Sequence, residues 1–396
     1  MFSMRKSLGN SLKVTLAYFI FWSSASQAGV ALSKFDPDNM RFRKACEPAY
    51  QQIVIAGVGD LLMHGPVQRT AAASNFKSLW NSVLPILSQA QVMYVNLETP
   101  VAPGLKRNGK IIKDPGEFDN NAYTSYPLFN TSPKLVYDLK ASGFDVVSTA
   151  NNHSVDRGSL GVDLTIETLR KARLAFTGTV HSKELDSSPF YTFVRESGWN
   201  LAFLACTWSN NGNPDRKHQV LHCFDDKSKL LNLVEELSKM PTVDAVIVTP
   251  HWGMTEYTHN PDQRNLDLGH ELIDAGAAAV IGTHPHVLQP WEKYTTKDGR
   301  EGFIAYSTGN FISNQQQWQR RMGLSVFVGL SKDSQGNVWI NGVRYHPLWT
   351  SFKPARVESL PKSKSVSRAW DLLPQLVGKD RYLDAESQLV TNFECY

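Results

Sequence analysis

Five short apolar runs in this chain each stop at a residue able to hold a metal ion or move a proton, and that recurrence limits what the chain can fold into. Gln52 to Val58 ends in Gly59-Asp60, and Val92 to Asn96 ends at Leu97-Glu98. Phe144 to Ser148 runs out into Thr149-Ala150-Asn151-Asn152-His153-Ser154-Val155-Asp156. Val243 to Thr249 is followed by Pro250-His251-Trp252-Gly253, and Ala278 to Ile281 by Gly282-Thr283-His284-Pro285-His286. Runs of this length, rich in Val and Ile, read as buried strands.

Helical periodicity separates them over 75–88, where Pro85 interrupts it, and over 133–142, 160–173, 227–239 and 263–274. Strand and helix therefore alternate, which makes an α/β chain with a sheet at its centre. Residues 190–194 and 201–206 read as paired strands, 303–307 as the last central strand with Gly309-Asn310-Phe311 at its tip, and 324–330 with 338–345 as a hairpin. A weak helix near 366–376 is the main feature of the last fifty residues. The long segment 99–131, full of Gly, Pro, Asn and Lys, is a loop of the length that covers a site.

One strand end of this kind is ordinary turn or cap chemistry, and Asn151-Asn152 alone would be a turn because Asn tolerates left-handed backbone. Five at one edge point to a site, since open α/β sheets bind ligands beyond the C-terminal ends of their strands. Two carboxylates (Asp60, Glu98), one amide (Asn152) and three imidazoles (His251, His284, His286) suit one or two borderline divalent ions such as Mn, Fe or Zn. Calcium, which takes six to eight oxygens, fits poorly because half of the set is nitrogen. His284 and His286, two apart on an extended stretch, would share a face. A bridging carboxylate would hold two ions about 3.5–4 Å apart and activate a water between them. His153 would then be free to give a proton to a leaving group, and His153 and Asp156 are the candidate catalytic residues.

The ends of the chain differ from its middle. Arg5, Lys6 and Lys13 precede an apolar run from Val14 to Trp22, and Ser26-Gln27-Ala28 follows. This is the pattern of a secretory signal cleaved after Ala28, with a retained N-terminal anchor as the alternative. Loss of residues 1–28 removes three positive and no negative charges, so the net charge falls from +4 to +1. No basic block exceeds Lys106-Arg107 or Arg320-Arg321, which argues against nucleic acid as a partner.

In an exported, periplasmic or cell-surface protein the four cysteines are disulfide candidates, with three pairings open. Cys206 with Cys223 would close a polar loop, whereas Cys46 with Cys395 would tie the ends together. His218-x-x-x-His222-Cys223 has the spacing of half a zinc site, without a second half nearby.

The series Gly59-Asp60, Asn96-Leu97-Glu98, Ala150-Asn151-Asn152-His153 with Asp156, His251-Trp252-Gly253, Gly282-Thr283-His284-Pro285-His286 and Gly309-Asn310-Phe311 resembles the CapA family. That family is associated with poly-gamma-glutamate capsule synthesis, and its domain is similar to the calcineurin-like metallophosphoesterases. The resemblance implies an α/β sandwich of mixed sheets with helices outside, plus a C-terminal extension. It divides the chain into a signal peptide (1–28), a lead-in (29–51), a CapA-like domain (52–350) and a tail (351–396).

It also implies Asp60, Glu98, Asn152, His251, His284 and His286 as the metal set and His153 as the proton donor. The Asp-x-His that opens most metallophosphoesterases is missing, with Gly59-Asp60 in its place and His64 as a candidate substitute. Met254-Thr255 separates His251-Trp252-Gly253 from Glu256-Tyr257, which usually follow closely. The expected function is a metal-dependent hydrolase acting on a small phosphoester or an anionic γ-glutamyl polymer. The alternative is a non-catalytic polymer-binding or export subunit working with membrane capsule-synthesis proteins.

Overall fold

The computed structural model describes residues 29–395. The proposed signal segment, 1–28, lies outside the described residues. The chain forms β1 (Gln51–Leu61), α1 (Gly65–Ala72), α2 (Leu84–Leu87), β2 (Val92–Leu97), α3 (Lys134–Ala141), β3 (Val146–Ser148), α4 (Gly158–Ala172) and β4 (Ala175–Thr177). It continues with β5 (Tyr191–Glu196), β6 (Trp199–Thr207), α5 (Lys227–Lys239), β7 (Ala245–His251), α6 (Gln263–Asp274), β8 (Ala279–Ile281), β9 (Trp291–Thr295) and β10 (Glu301–Ala305). The last elements are β11 (Asn310–Ile312), β12 (Met322–Lys332), β13 (Val338–Phe352), β14 (Ala355–Ser359) and α7 (Ser367–Val377).

Two mixed sheets result. One runs β14-β13-β12-β1-β2-β3-β4 with β11 beside β1, and the other runs β5-β6-β7-β8-β10-β9. Side-chain alternation places them face to face. Ile53 and Ile55 of β1, with Val92 and Tyr94 of β2, meet Leu201, Phe203, Ile247, Ala279 and Phe303 of the second sheet in one core. The intervening residues face outward and are also covered. Ala56, Met93 and Val95 pack under Leu135, Val136 and Leu139 of α3. Leu204, Val246, Val280 and Ile304 pack under Leu230, Val234 and Leu237 of α5 and Leu268 and Leu272 of α6. Strands buried on both faces have no polar alternation, which is why they stand out in the sequence as continuous apolar runs.

The architecture is the α/β sandwich of mixed sheets, helices outside, expected from the sequence. Local departures have clear causes. The stretch 75–88 is two 3-10 turns, Lys77–Leu79 and Asn81–Val83, and the single turn α2, because Pro85 allows no continuous helix. The helix of this region is α1 instead, started by Pro66 in its first turn. Strand β13 runs past residue 350, and the flanking segments join the inter-sheet core: Met40, Phe42 and Ala45 from one end, Leu373, Leu376 and Val377 of α7 from the other.

Disulfides Cys46–Cys395 and Cys206–Cys223 use all four cysteines. Cys223 is thereby withdrawn from any zinc site with His218 and His222. Among the described residues no helix is long and apolar enough to cross a membrane.

Candidate metal centre

The C-terminal edges of the two sheets meet, and the polar strand ends converge between them. Asp60 is carried by β1 where its backbone leaves register with β2, and its amide donates to the Gly309 carbonyl at 3.0 Å. Gly59 makes this approach possible, because a Cβ there would lie 1.8 Å from the Gly309 oxygen. Glu98 follows β2 directly, and His251 is the last residue of β7.

All five of the ionisable groups at the centre, Asp60, Glu98, His251, His284 and His286, are buried. His251 Nδ1 is 3.6 Å from Asp60 Oδ1 and its Nε2 is 3.6 Å from Glu98 Oε1. His286 spans the same two carboxylates, at 3.2 Å from Asp60 Oδ2 and 3.8 Å from Glu98 Oε1. Ligand atoms of Asp60, Glu98 and His286 all lie within 4.8 Å of one another. Asn152 Oδ1 lies 3.1 Å from His251 Nε2, and His284 Nδ1 lies 3.1 Å from the same atom. The six residues named from the sequence therefore occupy one cluster.

The histidines do not reach it as an extended pair. His284 has φ 106° and His286 φ 58°, so each side chain is aimed by a left-handed backbone turn after β8. Their rings are 6.1 Å apart and inclined at 50°.

Burial acts on Glu98 and on the three histidines in the direction that resists charge. It pushes Glu98 well above the ordinary carboxylate range, reinforced by Asp60, Glu256 and Asp156. It depresses His251 and His284 well below an ordinary imidazole, with the neighbouring histidines adding to the effect. For His286 burial is outweighed by the hydrogen bond and charge of Asp60, so its pKa is raised.

Neither Glu98 oxygen has a hydrogen-bond partner, although both are buried. A buried carboxylate in that condition is costly unless a cation meets it. With Asp60 and imidazole nitrogens around it, the donor set fits a divalent ion of the Mn, Fe or Zn type.

Several residues that brace this cluster carried no role in the sequence reading. Asn96 donates to Asp60 Oδ1 at 2.8 Å and lies 3.0 Å from His251 Nδ1. Asn310 Oδ1 is 3.0 Å from His286 Nδ1. Trp208 donates its indole N–H to His284 Nε2 at 2.9 Å, fixing the ring from behind. Asn96 and Asn310 sit inside the motifs quoted above, so position in the chain was their signal. Trp208 had none, since its role depends on β6 lying beside β7.

Beside the cluster, His153 Nδ1 is 2.8 Å from Asp156 Oδ2, the oxygen that also accepts the Phe129 amide at 2.6 Å. With Nδ1 engaged, Nε2 is the atom left for the cleft that His153 lines. The Phe129 ring meets the His153 ring edge to face at 4.7 Å.

The 99–131 segment is the cover expected of it. Asn130 ties it together by donating to the Ala102, Leu105 and Ala122 carbonyls, and Arg157 donates to the Leu105 and Leu128 carbonyls. The covered cleft has a volume of about 470 Å³. Its walls include His64, Tyr126, Phe129, Asn152, His153, Asn211, Glu256, Tyr257 and His286. His64 thus faces the cleft, where burial lowers its pKa to about 4, with His286 and His153 contributing.

Fold and site together define a class: a two-sheet α/β protein whose acidic and histidine strand ends form a buried cluster under a loop-covered cleft. The chain belongs to the bacterial capsule synthesis protein family PGA_cap, which it matches over residues 54–315. It is 28% identical over 312 residues to the PGA biosynthesis protein CapA of Bacillus subtilis strain 168, covering 78% of this chain and 76% of that protein. It is 28% identical over 277 residues to the capsule biosynthesis protein CapA of Bacillus anthracis, covering 68% of this chain and 62% of that protein. The calcineurin-like phosphoesterase YfkN of Bacillus subtilis superposes with a TM-score of 0.45 at 14% identity, covering 83% of this chain and 98% of that one.

Proposed function

We propose that this protein is an exported metal-dependent hydrolase of the CapA type, acting on a phosphoester or a γ-glutamyl polymer in capsule metabolism. The observation that carries the reading is Glu98: a buried carboxylate with neither oxygen paired, next to Asp60 and between imidazoles. Asp60, Glu98, Asn152, His251, His284 and His286 would hold one or two divalent ions. When bound, such an ion supplies Lewis-acid polarisation of the scissile group and activation of a water nucleophile.

The remaining chemistry belongs to the chain. Asp156 holds the His153 ring by Nδ1, so that Nε2 can deliver a proton to the departing oxygen or nitrogen. The Phe129 amide fixes Asp156 in turn, and the pinned 99–131 loop keeps bulk water from the reacting bond. Two disulfides support an oxidising compartment, periplasmic or cell-surface. The capsule-synthesis role of the relatives supports membrane capsule-synthesis proteins as partners.

The test is metal analysis of the purified protein with Mn, Zn and Mg, followed by a screen of phosphoester and γ-glutamyl substrates. Metal and turnover lost together in His251→Ala and His286→Ala are expected. A protein that takes up no metal would refute the reading, and bound metal with no turnover would favour the polymer-binding subunit.

A further inference from the structure

Two adjacent arginines, Arg320 and Arg321, close the 3-10 turn that leads into β12, and they have different fates. Arg321 is consumed by the fold. Its Nε donates to the Thr350 carbonyl at 2.9 Å, and its guanidinium lies over Trp349 and Phe352. The Arg320 guanidinium lies 3.4 Å from the centre of the Tyr257 ring, and among the described residues no carboxylate pairs with it.

That ring belongs to the cleft. Tyr257 stacks on His286 with centroids 6.0 Å apart and planes inclined at 26°, so Arg320 sits one aromatic ring away from the metal cluster. The backbone makes the same connection. Asn310 donates to the Arg320 carbonyl at 2.8 Å while its Oδ1 lies 3.0 Å from His286 Nδ1. The other guanidinia near the cleft are already engaged: Arg107 donates to the Ser125 carbonyl and Arg157 to the Leu105 and Leu128 carbonyls. The cleft lining itself contains no lysine or arginine among the described residues, and it includes Glu256.

We propose that Arg320, held flat on the cleft residue Tyr257 and with no side-chain hydrogen bond or ion pair among the described residues, is a substrate-anion site beside the cleft, binding a phosphoryl or carboxylate group of the substrate one aromatic ring away from the metal cluster. A guanidinium fixed by stacking offers a planar fork to an oxyanion and has already lost much of its rotamer freedom. A substrate with a second phosphoryl group next to the reacting one presents such an anion at a distance from the reacting centre, and a γ-glutamyl chain presents a carboxylate on the residue beside the amide. One fixed guanidinium suits one anionic group, which separates this site from a broad polyanion-binding surface. The inference rests on the cleft being the substrate's approach to the metal centre.

The experiment is metal analysis of the parent, Arg320→Ala and Arg320→Lys as purified and after incubation with Mn or Zn, followed by EDTA treatment and calorimetric titration of each with inorganic phosphate and with γ-linked diglutamate. Loss of a charge-assisted hydrogen bond predicts at least about tenfold weaker binding in Arg320→Ala, with Arg320→Lys recovering little because an ammonium lacks the planar fork. Weakening of phosphate assigns the site to phosphoryl groups, and weakening of diglutamate assigns it to carboxylates. Unchanged affinity for both probes in Arg320→Ala, with the far-ultraviolet circular dichroism of the parent, overturns the proposal. Metal content separates the two ideas: a parent that binds no metal refutes the hydrolase reading, whereas parent-like metal in a variant with unchanged anion binding refutes the role of Arg320 alone.

Discussion

The orphaned carboxylate of Glu98 makes a quantitative prediction about stability. In the metal-free protein both of its oxygens are buried without partners, a condition that costs about 1–3 kcal/mol. A divalent ion at a hundred times its dissociation constant adds about 2.7 kcal/mol to the native state. Unfolding entropy scales with length at about 2.1 cal/mol/K per residue, roughly 0.8 kcal/mol/K for 396 residues. Saturating Mn or Zn should therefore raise Tm by about 3 °C in differential scanning fluorimetry or calorimetry.

Glu98→Met removes both orphaned oxygens with little change in side-chain length. Its metal-free Tm should rise by roughly 1–4 °C, and the metal-induced increment should disappear. Both signs are needed, because a merely structural Glu98 would lower Tm when replaced and leave any metal response intact. A Glu98→Met protein that keeps the full metal increment would refute the assignment of this carboxylate to the centre.

Other expectations concern separate parts of the molecule. His153→Ala should retain the metal measured in the parent and lose about 10²–10⁴-fold in kcat, as removal of a general acid does; a loss of metal would place His153 in the cluster instead. Replacing both Cys206 and Cys223 by Ser opens a covalent loop with a sequence separation of 17, so urea denaturation should show a loss of about 3 kcal/mol. The pH dependence of stability should carry the mark of His346, whose burial between the Leu383 carbonyl and Ser359 depresses its pKa from 6.5. The unfolded chain then takes up a proton that the native state refuses, so stability falls as pH drops from 6.5 toward the depressed native value. His346→Gln should flatten that part of the Tm profile, and an unchanged slope would rule out this residue as its source.

Much of the candidate site was legible because its residues lie at ends of strands buried on both faces. Asp60, Glu98, His251 and the Asn152-His153 pair each terminate an apolar run, and such runs are local features of the chain. The helix expected over 75–88 failed where local rules compete, Pro85 against apolar periodicity, while Pro66 marked the real helix start. β14 and the packing of α7 on the inter-sheet core left no comparable local trace, since their partners lie far away in sequence.

By itself, then, the sequence determined the alternation of strand and helix, the two-faced burial of the central strands and the chemical identity of the groups at their ends. Those properties follow from side-chain type and a period of two or 3.6 residues. Only the tertiary structure decided that ends from two different sheets face one another across a few ångströms, and that His284 and His286 arrive through left-handed turns rather than along a strand. It alone seated Trp208 behind His284 and left Arg320 unpaired on Tyr257 while Arg321 was absorbed by the fold. The physical reason is range: burial patterns are written residue by residue, whereas a binding geometry depends on how distant segments pack, and no local period encodes that.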